Sequence, residues 1–556
     1  MVATSILQVV LAASAILLYY AYSRVKYERF ERFKRLPQLP PSLIWGHLKA
    51  LHEGLLKLGD SRMHEDYFFR ECGTMLGSPE VYFADLRPVL KPMVHVSSHE
   101  VAEQISSVSK TFRYSFPKSP TVAALGALIG KYSIIAAEGE DWKGLRKQLN
   151  PGFARSHLIG LLPEITAKTE VFIKRLDGLA HSGVEFCLDV NCLELTFDII
   201  GSVVMGQELH AQEPGQQDPL VVQYRELIAT FEEDGGLLLK AKRKIQGIWL
   251  ARQVNKSLTA VVRQSYTSKR DQAQATEQKT SSARSVLDLS LDGIDEITPK
   301  SLQVAADQLK SFIFAGHDTT GIVLQWAFYE LSRSPHVLAK LRKELDDVLG
   351  VNADPAYISE ALNSRGEEAQ SKLAYLSAVV KEILRLYPPA ATARLAPPGA
   401  TIKLTNGEEH LVEGAIVYIN HHAVQRDPAV YGATCDDFVP ERWLGDVSTS
   451  DTEGTHSQVT AASIPKSAWR AFERGPRNCI GQELANLEIR AILATAVRRY
   501  DFTKVGAGEL VLEDGKPVEN EKGQYEVKSQ MFNMRQVTSK PFDGMRMKVK
   551  FHEVGA

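Results

Sequence analysis

Ten residues near the C-terminal end, Phe472-Glu473-Arg474-Gly475-Pro476-Arg477-Asn478-Cys479-Ile480-Gly481, are the part of this chain richest in chemistry. A cysteine ligates metal as the thiolate, which needs nearby positive charge or hydrogen-bond donors to stay deprotonated. This segment offers both: a glycine turn whose backbone N–H groups can point at sulfur, and Arg477 two residues upstream. Phe472 can shield the sulfur. Gly475 permits backbone angles closed to other residues, and Gly481 lets the backbone approach a flat ligand. A lone cysteine is more often a small buried hydrophobe. Phenylalanine, two glycines and an arginine at close spacing around this cysteine read instead as a pocket for a metal-bound thiolate.

A second constellation, Ala315-Gly316-His317-Asp318-Thr319-Thr320, lies inside a long apolar helix pattern. Glycine costs about 1 kcal/mol in a helix interior, and threonine can bond back to the preceding turn. Such a local violation is expected at a functional site. Asp318 beside Thr319 suits proton delivery, which needs an acid within hydrogen-bond reach, directly or through water. His317 reads as structural. Glu382 and Arg385 share one helical face. As a surface ion pair they would be worth little, but their apolar flanks imply burial and a third partner. Trp142 and Arg146, four apart, also share a helix face.

The elements that must position these groups are mainly helical. Apolar residues at three- and four-residue spacing mark helices over 157–179, 191–206, 221–265, 300–333 and 371–386. Strand patterns at Val94–Val96 and Ala415–Ile419 are short. Polar stretches 211–219, 270–286 and 446–462 read as loops. The fold class is mainly α with small β-sheets. A length of 556 residues suggests three or four domains by itself, yet the motifs must meet at one site, so a single body over 50–556 is expected. Composition is globular, with 44% hydrophobic and 24% charged residues. A net charge of −2 gives no case for nucleic acid. Five scattered cysteines make neither a disulfide framework nor a zinc pattern and fit a reducing compartment.

Residues 1–23 are expected to anchor the chain in a membrane. Val2 to Tyr22 carries no charged side chain, and about 20 apolar residues span a hydrocarbon core of roughly 30 Å. Tyr19, Tyr20 and Tyr22 sit at one end as interfacial aromatics. Arg24, Lys26, Arg29, Arg32, Lys34 and Arg35 follow, which puts the C-terminal side in the cytosol. A cleaved signal would show a basic start and a shorter apolar core. Residues 24–49, with Pro37, Pro40 and Pro41, read as a stiff basic linker. The expected location is a single-pass anchor in the endoplasmic reticulum membrane with a cytosolic body.

Phe-x-x-Gly-x-Arg-x-Cys-x-Gly at 472–481 matches the haem-binding signature of the cytochromes P450. With Trp-x-x-x-Arg at 142–146, the oxygen-binding segment at 315–320 and Glu-x-x-Arg at 382–385, four motifs follow the family order. The resemblance covers roughly residues 37 to 552 and implies the cytochrome P450 fold with haem b on Cys479. In that family the thiolate pushes electron density that favours O–O cleavage, a property carried over with the resemblance. It further implies that Thr319 hydrogen-bonds bound dioxygen and that Asp318 helps deliver protons. Glu382, Arg385 and Arg442 become a structural triad, and Trp142, Arg146, Arg394 and Arg477 partners of the haem propionates. Arginine's planar fork suits a carboxylate. Bulky Glu473-Arg474, where many relatives carry small residues, is expected to alter surface charge only.

Substrate contacts are implied for the apolar run 122–129, with Leu125, for Ser311, Phe312 and Ala315, and for the turn of Arg535, Gln536 and Val537. Apolar lining suits a small hydrophobic molecule. The leading expectation is a monooxygenase fed with electrons from NADPH by a membrane-bound cytochrome P450 reductase, with cytochrome b5 as a second donor. The motif version looks most like filamentous-fungal microsomal members, many of which decorate polyketides or terpenoids. Alternatives are a fatty-acid or xenobiotic hydroxylase, a same-fold peroxide isomerase or dehydratase, and a non-catalytic haem sensor or electron carrier. Intact Asp318-Thr319 argues against the isomerase, which has no oxygen to protonate.

Overall fold

A computed structural model describes residues 2–60, 62–109, 112–231, 235–274, 284–445, 461–534 and 536–553. In chain order the elements used below are α1 (Val2–Lys26), β1 (Val81–Ala84), β2 (Met93–Val96), α2 (Gly139–Leu149), α3 (Leu162–Ser182), α4 (Leu188–Ile200), α5 (Pro219–Ala229) and α6 (Leu237–Gln274). They continue with α7 (Pro299–Arg333), α8 (Ala374–Leu386), β3 (Thr392–Leu395), β4 (Ile416–Ile419), α9 (Gln482–Ala496), β5 (Tyr500–Lys504), β6 (Asn533–Met534), β7 (Lys540–Pro541) and β8 (Arg546–Phe551). The chain is mainly helical with small sheets, and its contacts divide it into two units.

The first unit comprises residues 1–119, 391–427 and 466–477. Its helix α1 has 25 residues, about 37 Å at 1.5 Å per residue, enough for a hydrocarbon core. The most apolar window within Ile6–Glu31 has a mean hydropathy of 1.7 and no buried residue. Part of the segment expected as a linker is packed instead. Arg29 Nη1 lies 2.7 Å from Asp85 Oδ1, and Phe33 and Leu36 join an apolar cluster with Val81, Val94, Val417 and Ile419. Burying those two side chains stabilises by about 2 kcal/mol each, which ties this stretch to the sheet. The sheet order is β1-β2-β4-β3. β1 pairs antiparallel with β2, and β2 runs parallel to β4 with Val94 opposite Val417. β3 closes it antiparallel, Arg394 facing Val417.

The second unit comprises residues 120–390, 428–465 and 478–556. Helix α7, 35 residues long, is capped reciprocally by Thr298 and Ser301 with Pro299 in its first turn. It is buried on every face, from Leu302 to Leu331. Two glycines let α4 lie close to it. A Cβ at Gly316 would fall 2.3 Å from Ile200 Cδ1, and one at Gly321 2.9 Å from Leu193 Cδ2. The expected helix 221–265 is two helices, α5 and α6, separated by Gly235 (φ +94°) and Gly236, because paired glycines disfavour a continuous helix. The helix expected over 191–206 is α4 followed by a π-turn that ends at left-handed Gly206. Residues 211–218 form the expected loop, and Asp218 caps α5. Of the loop expected at 270–286, α6 occupies the start through Gln274, and 275–283 lie outside the described residues, as does 446–460. β5 pairs antiparallel with β8, and β6 with β7.

Candidate active site

In the first unit, Gly475 has φ +74°, and a Cβ there would fall 2.1 Å from the Ser106 carbonyl oxygen. Only glycine fits that backbone. Glu473 is not the surface charge expected: its side chain is only 9% exposed. Its carboxylate accepts from Ser106 Oγ at 2.7 Å, faces His421 Nε2 at 2.8 Å and pairs with Arg470. Burial pushes its carboxyl up, but His421, Arg470 and Ser106 hold it well below the ordinary range. The bulky residue therefore fastens the loop to the helix that carries Ser106. Phe472 is half-buried, its ring 5.9 Å from that of Trp469. Arg394 on β3 and Arg477 are buried cations, and Arg394 Nη1 donates to the Phe116 carbonyl at 3.4 Å.

In the second unit, Cys479 has an exposed thiol and lies just before α9, whose N-cap is Gly481. Backbone N–H groups at a helix N-terminus favour a thiolate. A Cβ at Gly481 would stand 3.9 Å from the Cys479 sulfur, an ordinary van der Waals contact. Arg146 of α2 braces the loop, donating to Asn478 O at 2.8 Å and to Asn478 Oδ1 at 3.0 Å. Burial lowers the Arg146 guanidinium from its ordinary value, and the Cys479 sulfur opposes that shift. Trp142, one turn earlier, is buried. An exposed cysteine, a helix N-terminus and a nearby guanidinium together fit a thiolate-bound haem.

On α7, Thr319 is half-buried and its Oγ1 donates to the Ala315 carbonyl at 2.6 Å. Asp318 is 2% exposed. Thr538 Oγ1 donates to its Oδ2, and Lys540 Nζ stands 3.0 Å from its Oδ1. Burial pushes the carboxyl up, but Lys540, His317 and Thr538 outweigh it and hold it below its ordinary value. Asp318 is therefore ionised at neutral pH. His317 is buried against Phe197 and Tyr224, its Nδ1 2.5 Å from Ile313 O, and burial lowers its pKa. Sequence reasoning missed Lys540 and Thr538. It also missed Glu488 of α9, which is buried beside Thr320 with a carboxyl pushed well up by desolvation.

Glu382 accepts two bonds from Arg385, at 2.8 and 2.9 Å, and one each from Arg442 Nε, Val439 N and Trp443 Nε1. Arg385 also donates to Cys435 O and Asp437 O. The three charges thus tie α8 to the segment 435–443. Of the expected substrate contacts, Ser311 is buried and spends its hydroxyl on Ile129 O at 2.9 Å. Phe312 packs edge-on to Phe153 and lines a cavity of about 290 Å³ with Leu149, Val286 and Leu309. Leu125, Ala315 and Val537 are half-buried, and Arg535 lies outside the described residues.

A mainly helical body with one cysteine at a helix entrance and an acid–alcohol pair on its central helix defines a haem-thiolate oxidoreductase. The family description Cytochrome P450 matches residues 54–527. Cytochrome P450 monooxygenase acrF of Aspergillus aculeatus is 32% identical over 435 residues, covering 76% of this chain and 84% of its own. Cytochrome P450 monooxygenase polC of Polytolypa hystricis is 30% identical over 501 residues, covering 88% and 85%. A cytokinin hydroxylase of Arabidopsis thaliana is 30% identical over 380 residues, covering 66% and 67%. The chain belongs to the cytochrome P450 family and is a monooxygenase, an oxidoreductase carrying haem on a cysteine thiolate. Its electrons come from NADPH through a redox partner, as in the family generally.

Proposed function

We propose that this enzyme inserts one oxygen atom of dioxygen into a hydrophobic polyketide or terpenoid of fungal secondary metabolism. Two fungal monooxygenases that it matches over more than four fifths of their length support that setting. Cys479 would hold the haem iron through its thiolate, and Trp142, Arg146, Arg394 and Arg477 are the residues that the family resemblance assigns to its propionates. Haem, when bound, activates dioxygen with electrons from the membrane-bound reductase, cytochrome b5 serving as a second donor. α1 anchors the chain in the endoplasmic reticulum membrane once, with the catalytic body in the cytosol.

The residues of α7 manage protons. Asp318, ionised and buried, can take a proton and pass it on through water. Thr319 Oγ1 can release the Ala315 carbonyl and donate toward the reacting oxygen. Leu125, Ala315 and Val537 exclude water and orient an apolar substrate, with Ser311 holding the segment before Gly130 in place and Phe312 packing behind it. The observation that carries this reading is the charged, clamped Asp318 next to Thr319, which a peroxide isomerase has no use for. Thr319→Ala removes the donor, since a methyl group cannot hydrogen-bond. NADPH is then still consumed while hydrogen peroxide replaces product, with haem content intact. Coupling that stays at the wild-type ratio, measured with a true substrate and reductase, contradicts the assignment.

A further inference from the structure

Between α2, the short helix Val286–Ser290 and the N-terminal part of α7 lies the cavity of about 290 Å³. None of Cys479, Thr319, Leu125 and Val537 lines it, so it lies outside the site described above. Its floor is apolar and buried, formed by Leu149, Val286, Leu287, Leu291, Leu309 and Phe312. Phe312, expected from the sequence at the substrate, closes this floor with its ring 5.1 Å from that of Phe153. Gln148, Thr298 and Lys300 stand exposed at the rim. Protein interiors are close-packed, and a void forfeits the contacts its lining would make. Apolar cavities of about 150 Å³ already take up benzene-sized molecules. This one is larger and reaches solvent at its rim, so it admits a longer chain or a fused-ring body.

The wall leaves an occupant little to hydrogen-bond. Gln308 spends both ends of its amide, donating to Tyr132 O and Val304 O and accepting from Ile134 N. Ser290 Oγ donates to Leu287 O, and Gln148 Nε2 donates to Ser290 O. Thr298 and Ser301 cap α7 through each other. The body of an occupant must therefore be hydrocarbon. Lys300 is the only charged residue of the lining, and it has no ion-pair partner among the described residues. Acids close to it in sequence are engaged elsewhere or stand outside. Asp288 accepts from Ser265, and Asp292 pairs with Lys269 and Arg284. Asp295 and Glu296 do not line the cavity.

We propose that this cavity binds a small apolar carboxylic acid, its hydrocarbon part on Leu309 and Phe312 and its carboxylate at Lys300. Such a site works alike whichever roles Asp318 and Thr319 play.

The test uses the holoenzyme in lipid nanodiscs with clotrimazole on the haem iron, so that the haem pocket is already filled. The probes are decanoate, decanol and a diazirine-bearing decanoate. Titration calorimetry should show saturable binding of decanoate that empty discs lack. It should be about threefold tighter than that of decanol, the advantage an exposed ion pair gives. Photolabel should fall on residues within 286–294 and 298–312. Val304→Trp fills the cavity from a half-buried position and should abolish both binding and label. Lys300→Ala changes an exposed side chain and should make the two probes bind equally while the label stays in place. No saturable binding to wild type, label confined to other segments, or wild-type affinity in Val304→Trp each overturns the site. Should Val304→Trp load no haem, the wild-type label map decides alone. Equal affinity of decanoate and decanol for wild type overturns the assignment of an acid.

Discussion

Glu382 and Asp318 are both carboxylates taken almost fully out of water, 0% and 2% exposed, and each faces a cation. Around Glu382 five donors converge: two from Arg385 and one each from Arg442, Val439 and Trp443. Around Asp318 only two donors, Thr538 and Lys540, bond or pair with the carboxylate among the described residues. An ionised carboxylate offers about four acceptor sites. Glu382 has none to spare, so its group is locked. Asp318 keeps acceptor capacity, so on the function proposed above it can exchange a proton without dismantling its surroundings. Equal burial thus comes with unequal numbers of donors, and on the proposed function that number separates a structural carboxylate from a working one.

The largest effect should come from breaking the saturated site. Arg385→Met leaves Glu382 buried and short of two donors, a class of change that costs about 3–5 kcal/mol. Against a typical total of about 5–15 kcal/mol, little haem-loaded protein should accumulate, as read by the reduced carbon monoxide spectrum of membranes. A variant that accumulates at the wild-type level would erase the contrast between the two sites.

Asp318→Asn should do the opposite. It keeps an acceptor for Thr538 and leaves haem content near wild type, while turnover falls about 100-fold through loss of a proton relay. Peroxide release should change less than in Thr319→Ala. Collapse of the fold in Asp318→Asn would make Asp318 a second structural carboxylate.

The smallest effect concerns Glu488, a third buried carboxyl, whose Oε1 lacks a hydrogen-bond partner among the described residues. Its folded pKa is raised by burial. The stability it contributes is therefore full below the unfolded value near about pH 4 and is lost as pH rises toward the folded value. Glu488→Gln stays neutral at every pH. Its unfolding temperature should exceed that of wild type by a margin that widens from about pH 4 to 8, reaching a few degrees. A margin that does not change with pH would mean that Glu488 is charged in the folded protein.

Much of this was legible in the chain because it is written locally. α7 and α8 fall within a few residues of their expected limits, since their apolar periodicity and flanking prolines act over single turns. The Glu382–Arg385 pair was readable from i,i+3 spacing and apolar flanks. The break between α5 and α6 was also written, in Gly235-Gly236, but the periodicity on either side masked it. What could not be read depends on distant meetings. Thr538 reaches Asp318 across 220 positions and Glu473 reaches Ser106 across 367, and no local pattern pairs such residues. Phe33 and Leu36 looked like linker because prolines follow them, yet apolar side chains near a sheet pack onto it.

The account depends first on Cys479 as the haem ligand. The reduced carbon monoxide spectrum of Cys479→Ala, recorded on haem-containing protein, tests that claim most directly. The thiolate-type band should vanish while residual haem remains detectable. Cys479→Ser should give a changed band, because oxygen is a harder donor than sulfur. A wild-type thiolate spectrum in Cys479→Ala would contradict the account at its root.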